Sequence, residues 1–176
     1  IRAYSAVLAG REGILVEEFG IDKGGLRFWP RSPSGVVEDP MTVVNGSGVV
    51  ASVLVDLDMD GTRDLVVLVS QESERLLVFR AAERALSEPI QLFQGHPGYG
   101  FNGLTSADVD GDGLIDLIAV NGDNYDLDSG PLKPYHGIRI FYNQGALRFS
   151  QPQFLPFHGA VDVLPAPVDD MLRVIA

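Results

Sequence analysis

Eight aspartates fall into two sets of identical spacing. Asp56, Asp58, Asp60 and Asp64 lie in VDLDMDGTRDLV (residues 55–66), and Asp108, Asp110, Asp112 and Asp116 lie in ADVDGDGLIDLI (107–118), 52 residues later. Alternate residues in a tight loop can turn their side chains to one centre, and the glycine in register, Gly61 or Gly113, permits the sharp bend. A centre of this kind suits calcium, which takes about six to eight oxygen ligands from carboxylates, carbonyls and water. In the first loop Asp56, Asp58 and Asp60 supply three carboxylates, Thr62 its backbone carbonyl, and Asp64 closes the site. Asp108, Asp110, Asp112, Leu114 and Asp116 take the same roles in the second. Four carboxylates this close repel one another unless a cation sits among them. Asp and Gly also mark ordinary turns, but two copies in register favour the metal. The expected cofactor is calcium, one ion per loop.

The elements around these loops must be strands. Each loop follows an apolar stretch and precedes a β-branched run, Leu65 to Val69 or Leu117 to Val120. Short runs such as Leu76 to Phe79 and Ile138 to Tyr142 are bounded by Gly, Asn, Asp or Pro. No segment of a dozen residues holds an apolar period of 3.6. Four strands per unit are predicted, at about 49–55, 65–70, 76–80 and 89–94, then at about 102–107, 117–121, 137–142 and 147–154. GGLRF at residues 24–28 echoes GALRF at 145–149, with Ala85-Leu86 near the midpoint, which places Leu26, Leu86 and Leu147 equivalently. Phe101-Asn102-Gly103 echoes Phe157-His158-Gly159 in the same way.

Four-stranded units in series are the pattern of a β-propeller. The expected fold is all-β, about three blades of a larger or partner-completed propeller. Residues 1–38 read as a partial blade carrying the last three strands of a unit. Residues 39–95 and 96–157 read as blades with calcium loops. Residues 158–176 read as the start of a further blade, with a shortened loop at Leu164 to Asp170. Ile1 is no initiator, which suggests a processed product or fragment whose open strand edges continue into further blades or meet a partner subunit.

Composition narrows the function. With 24 acidic and 13 basic residues among 176, the net charge is −11, which opposes binding to nucleic-acid phosphates and favours divalent cations. The absence of cysteine excludes disulfides, thiolate zinc sites and thiol catalysis. No apolar run is long enough to span a membrane.

The loops and the strands after them resemble the FG-GAP and VCBS repeat families, whose loops run DxDxDGxxDL; GGLRF and GALRF are similar to a later strand opening of those families. The resemblance covers the two central units and implies a propeller with calcium between the first two strands of a blade. Integrin α-subunit heads share that plan, but their Gly-Ala-Pro signature is missing. An EF-hand loop needs an acid at its twelfth position, where Val67 and Ala119 stand. VLVDLDMDGT (53–62) also resembles the first motif of haloacid-dehalogenase-type phosphatases, with Asp58 as nucleophile, Asp60 as acid/base and magnesium as metal. The second loop lacks that threonine, and the alternating helices of that fold are not foreseen.

Other candidates carry weaker signals. Asp123, Asp126 and Asp128, in the insertion Asn121 to Pro134, could form a second cation site, though a solvated loop explains them as well. His96, His136 and His158 show no zinc spacing. Trp29 and Tyr125 could stack on sugars, and Asn45-Gly46-Ser47 fits a glycosylation sequon. The expected role is a calcium-binding adhesion or scaffold module for a protein or carbohydrate ligand, located outside the cytoplasm, in the periplasm or at the cell surface. The competing class is part of a carbohydrate-active propeller enzyme.

Overall fold

Apolar runs punctuated by Gly, Asp and Pro become strands throughout the computed structural model, which describes residues 1–20, 22–71, 73–82, 85–122, 133–160, 162–168 and 171–175. The first sheet is a four-stranded antiparallel meander of β1 (Arg2–Leu8), β2 (Arg11–Glu18), β3 (Gly25–Pro30) and β4 (Met41–Asn45). Ala9 and Gly10 join β1 to β2 with φ of 48° and 73°, the two-residue left-handed turn that matches strand twist. The second sheet holds β5 (Val49–Val55), β6 (Asp64–Val69), β7 (Arg75–Phe79) and, beyond the small hairpin of β8 (Ala81–Ala82) and β9 (Ala85–Leu86), β10 (Ile90–Gln94). The third holds β11 (Phe101–Ala107), β12 (Asp116–Asn121), β13 (Gly137–Phe141) and β14 (Gln153–Pro156). A two-stranded sheet, β15 (Leu164–Val168) with β16 (Met171–Ile175), follows. No α-helix occurs among the described residues, and so none that could cross a membrane. The architecture is that of propeller blades, without closure into a ring.

The second strands explain why the blades stack. Every residue of β6 and β12 is buried, which a strand shows when both faces of its sheet are covered. Leu65, Val67 and Val69 pack toward the first sheet, with Leu15, Leu26 and Phe28. Val66 and Leu68 face the third sheet, with Leu104, Leu117 and Phe141. Ile118 and Val120 pack beyond it on Ala160 and Val163. A fully buried aliphatic side chain contributes about 1.5–3 kcal/mol, so these inter-sheet layers dominate stability.

Buried polar links set the blade spacing. Tyr4 OH meets Ser52 Oγ at 2.6 Å, and Ser52 Oγ donates to Glu17 Oε1 at 2.7 Å, joining the first sheet to the second. Glu74 joins the second to the third. Its Oε1 accepts from Ser70 Oγ and the Gln71 amide, and its Oε2 from the Phe101 amide.

Several expectations are corrected. The first sheet has all four strands and ends at Asn45; it is not a three-stranded remnant ending at residue 38. Its fourth strand lies beyond a long connection holding Pro33 and Pro40, which made it look like the start of the next unit. Leu26, Leu86 and Leu147 are not equivalent. Leu26 is buried within β3, Leu86 sits in the short β9, and Leu147 lies in a turn at φ 57°. The two Gly-rich openings differ in kind: Gly25 starts a strand, whereas Gly145, Ala146 and Leu147 are consecutive left-handed residues. That turn also delays the fourth strand of the third sheet to residue 153. Phe101 opens β11, while Phe157-His158-Gly159 falls in the turn region after β14. Leu164 to Val168 is strand β15, not a shortened loop; Asp169 and Asp170 lie outside the described residues.

Candidate metal centre

Both aspartate loops connect the first and second strands of a sheet, β5 to β6 and β11 to β12, at the same end of neighbouring sheets. Asp56 shapes the first by accepting the amides of Asp60 (3.1 Å) and Gly61 (2.9 Å). Asp108 does the same with Gly111 (2.7 Å) and Gly113 (3.0 Å). Gly61 and Gly113 stand at φ of 88° and 89°, so the expected bend is required by conformation.

Asp64 and Asp116, first residues of β6 and β12, are buried and tie each loop to the third strand's end. Asp64 accepts the amides of Leu57 (3.1 Å) and Ala81 (2.9 Å). Asp116 accepts those of Val109 (2.8 Å) and Asn143 (2.8 Å). Burial pushes both carboxyls above their ordinary range, and the neighbouring loop aspartates push the same way.

One carboxylate oxygen from each of Asp56, Asp58 and Asp64 falls within 4.8 Å of the others, and so do those of Asp108, Asp110 and Asp116. Asp60 and Asp112 stand outside these groups. Their Oδ1 atoms accept the amides of Thr62 (2.8 Å) and Leu114 (2.8 Å), and the Thr62 amide holds the Asp60 carboxyl below its usual range. Asp58 Oδ1 is buried without a hydrogen-bond partner. An all-oxygen donor set with one such orphaned oxygen fits a hard divalent cation.

Met59 marks a departure between the loops. It holds φ 59° while 66% exposed, and its counterpart Gly111 holds φ 79°. A left-handed non-glycine residue costs about 1–2 kcal/mol. Met59→Gly is therefore expected to stabilise the protein by about 0.5–1 kcal/mol in urea unfolding, after the entropy that glycine adds to the unfolded chain. A loss of stability would show that the Met59 side chain makes contacts worth more than the strain.

Residues 56–119 match the family model described as an FG-GAP-like repeat. This segment is similar to an FG-GAP-like repeat. It takes in 64 of the 176 residues and contains both aspartate loops with β6 through β11 between them. No curated protein and no solved structure matches the chain.

Two residues next to the aspartate loops carry no sequence signal. Arg80, after β7, places Nε 2.7 Å from Asp58 Oδ2 and Nη2 3.2 Å from Asp60 Oδ2; Asp58, then Asp60, holds its guanidinium above the ordinary value. Asn143 is buried and donates through Nδ2 to the carbonyls of Leu57 (2.8 Å) and Ile115 (3.1 Å), bridging the two loops. Both come from the ends of third strands, and the pairing is visible only once the sheet is formed.

The other candidates do not join the loops. His96 Nδ1 accepts the Gly98 amide, His136 is buried and His158 is exposed. None of them enters an acidic cluster among the described residues. Trp29 is half-buried in β3 opposite Ile14. Asn45 is exposed at the end of β4. Asp123, Tyr125, Asp126 and Asp128 lie outside the described residues. The phosphatase reading is overturned, because Asp58 and Asp60 sit between antiparallel strands with no helix beside them among the described residues.

Proposed function

We propose that each aspartate loop binds one calcium ion, and that the bound ions hold the blade ends rigid in a binding or scaffold module working outside the cytoplasm. The observation that carries the reading is the convergence of three carboxylates in each of two loops spaced 52 residues apart. Asp56, Asp58 and Asp64 would hold one ion and Asp108, Asp110 and Asp116 the other, with Asp60, Asp112 and the carbonyls of Thr62 and Leu114 completing the oxygen shell. Calcium is preferred to magnesium because the donors are many and the loop is adaptable, whereas magnesium demands near-ideal octahedral geometry. Affinity of the extracellular-module kind, on the order of 10⁻⁴–10⁻³ M, suits surroundings where calcium is abundant. A protein or carbohydrate ligand on the blade surface is the corresponding partner.

Isothermal titration with calcium should give two ions per chain and a melting temperature that rises with calcium. Asp58→Ala and Asp110→Ala should each remove one ion and lessen the rise. A folded protein that takes up no calcium, or variants that still take up two ions, would reduce these loops to turns.

A further inference from the structure

We infer that Arg80 is a built-in counter-ion of the first loop, which makes that loop the weaker calcium site and leaves the second loop as the calcium-responsive one. The inference rests on the calcium reading of the two loops and adds an inequality between them that their matching aspartates do not suggest. Arg80 leaves β7 and lays its guanidinium across two carboxylates, with Nε 2.7 Å from Asp58 Oδ2 and Nη2 3.2 Å from Asp60 Oδ2.

Among the described residues the second loop has no equivalent. The amide that caps the closing aspartate comes from Ala81 in one loop and Asn143 in the other, so Tyr142 is the counterpart of Arg80. The backbone agrees: the Arg80 amide donates to Ser87 Oγ as the Tyr142 amide donates to Ser150 Oγ. Tyr142 carries no charge to offer, and its hydroxyl donates to Gln153 Oε1 at 2.6 Å. Among the described residues no ion pair reaches Asp108, Asp110 or Asp112.

The consequence follows from charge. A calcium ion entering the first loop would either displace the guanidinium from Asp58 or share that carboxylate with it, and a divalent cation beside a guanidinium is repelled. The second loop imposes no such cost. Without calcium the order is reversed, since Arg80 relieves the repulsion between Asp58 and Asp60 while Asp110 and Asp112 have no such help among the described residues. The first loop is thus held in shape by its own cation, and the second waits for one.

The test titrates calcium alone into the full chain. With Asp110→Ala silencing the second loop, adding Arg80→Met should tighten the remaining site by on the order of fivefold or more, and Arg80→Lys should fall between. In the parent chain Asp58→Ala should remove the weaker of two steps and Asp110→Ala the stronger. Melting offers a second readout. Arg80→Met should melt below the parent in chelator and lose that deficit in saturating calcium, a crossing that loss of an ordinary surface contact would not produce. Because Arg80 is more than half exposed, the variant is expected to fold. Equal affinities in the parent, or no tightening in Arg80→Met, overturn the role of Arg80 and leave the calcium reading intact. No calcium uptake in either loop overturns the calcium reading itself, and this inference with it.

Discussion

Replacing Asp116 by alanine is expected to destabilise the metal-free protein by about 3 kcal/mol. The carboxylate accepts two buried amides, from Val109 and Asn143, at 2.8 Å each. Alanine leaves both donors without an acceptor, and an orphaned buried group costs about 1–3 kcal/mol. It also frees the Asn143 backbone, whose side chain bridges the carbonyls of Leu57 and Ile115. Relief of the cost of burying the carboxyl offsets part of this loss. Asp110→Ala, at an exposed position, removes only an acceptor for the Asp112 amide and should change metal-free stability by no more than about 0.5 kcal/mol. Urea unfolding in chelator separates the two: both variants lose the second loop's share of the calcium response, but only Asp116→Ala loses the underlying fold energy. Equal metal-free stabilities would show that Asp116 is a ligand and nothing more.

Glu74→Ala is expected to cost a similar amount, about 3 kcal/mol, because three donors on two sheets converge on one buried carboxyl. Its effect on pH dependence distinguishes this group from a neutral hydrogen-bond hub. Burial pushes the Glu74 carboxyl above its ordinary value of 4.5, against the hydrogen bonds from Phe101, Ser70 and Gln71 that favour the charged form. Between 4.5 and the raised value the folded protein holds more protons than the unfolded chain, so this contribution to stability falls as pH rises through that window. Below 4.5 both states are protonated, and above the raised value both are ionised. Asp64 and Asp116 tend the same way, so the quantity to measure is the stability difference between the parent and Glu74→Gln. That difference should move against the parent as pH rises through the window and then level off. A difference that is flat, or that favours the parent increasingly with pH, would contradict the burial argument.

The aspartate loops were legible in the chain itself because their geometry is local. Alternate residues and one glycine set the loop, and the same pattern returns 52 residues later. Strands β5 to β7 and β11 to β13 were legible for a related reason: apolar runs bounded by breakers admit little else. Assignments that depended on comparing distant segments fared worse. GGLRF and GALRF share residues but not backbone, since Gly25 opens a strand and Gly145 begins a left-handed turn. Strand β4 was hidden because pairing with β3 across a long connection, not its own short run, makes Met41 to Asn45 a strand.

What the sequence by itself determined is the all-β repeat and the acidic loops. Only the tertiary structure decided how the loops are held and why they differ. Asp64 and Asp116 became ties because β7 and β13 bring the Ala81 and Asn143 amides to them, 17 and 27 residues along the chain. Arg80 reached Asp60 from 20 residues away, Glu74 reached Phe101 across 27, and Asn143 reached Leu57 across 86. Separations of that size are closed by sheet pairing and blade stacking, whose driving force is the burial of the apolar faces of β6 and β12. That force is set by how many apolar side chains each face presents. Which polar groups then meet at the blade ends depends on register and turn length, which no local run of residues specifies.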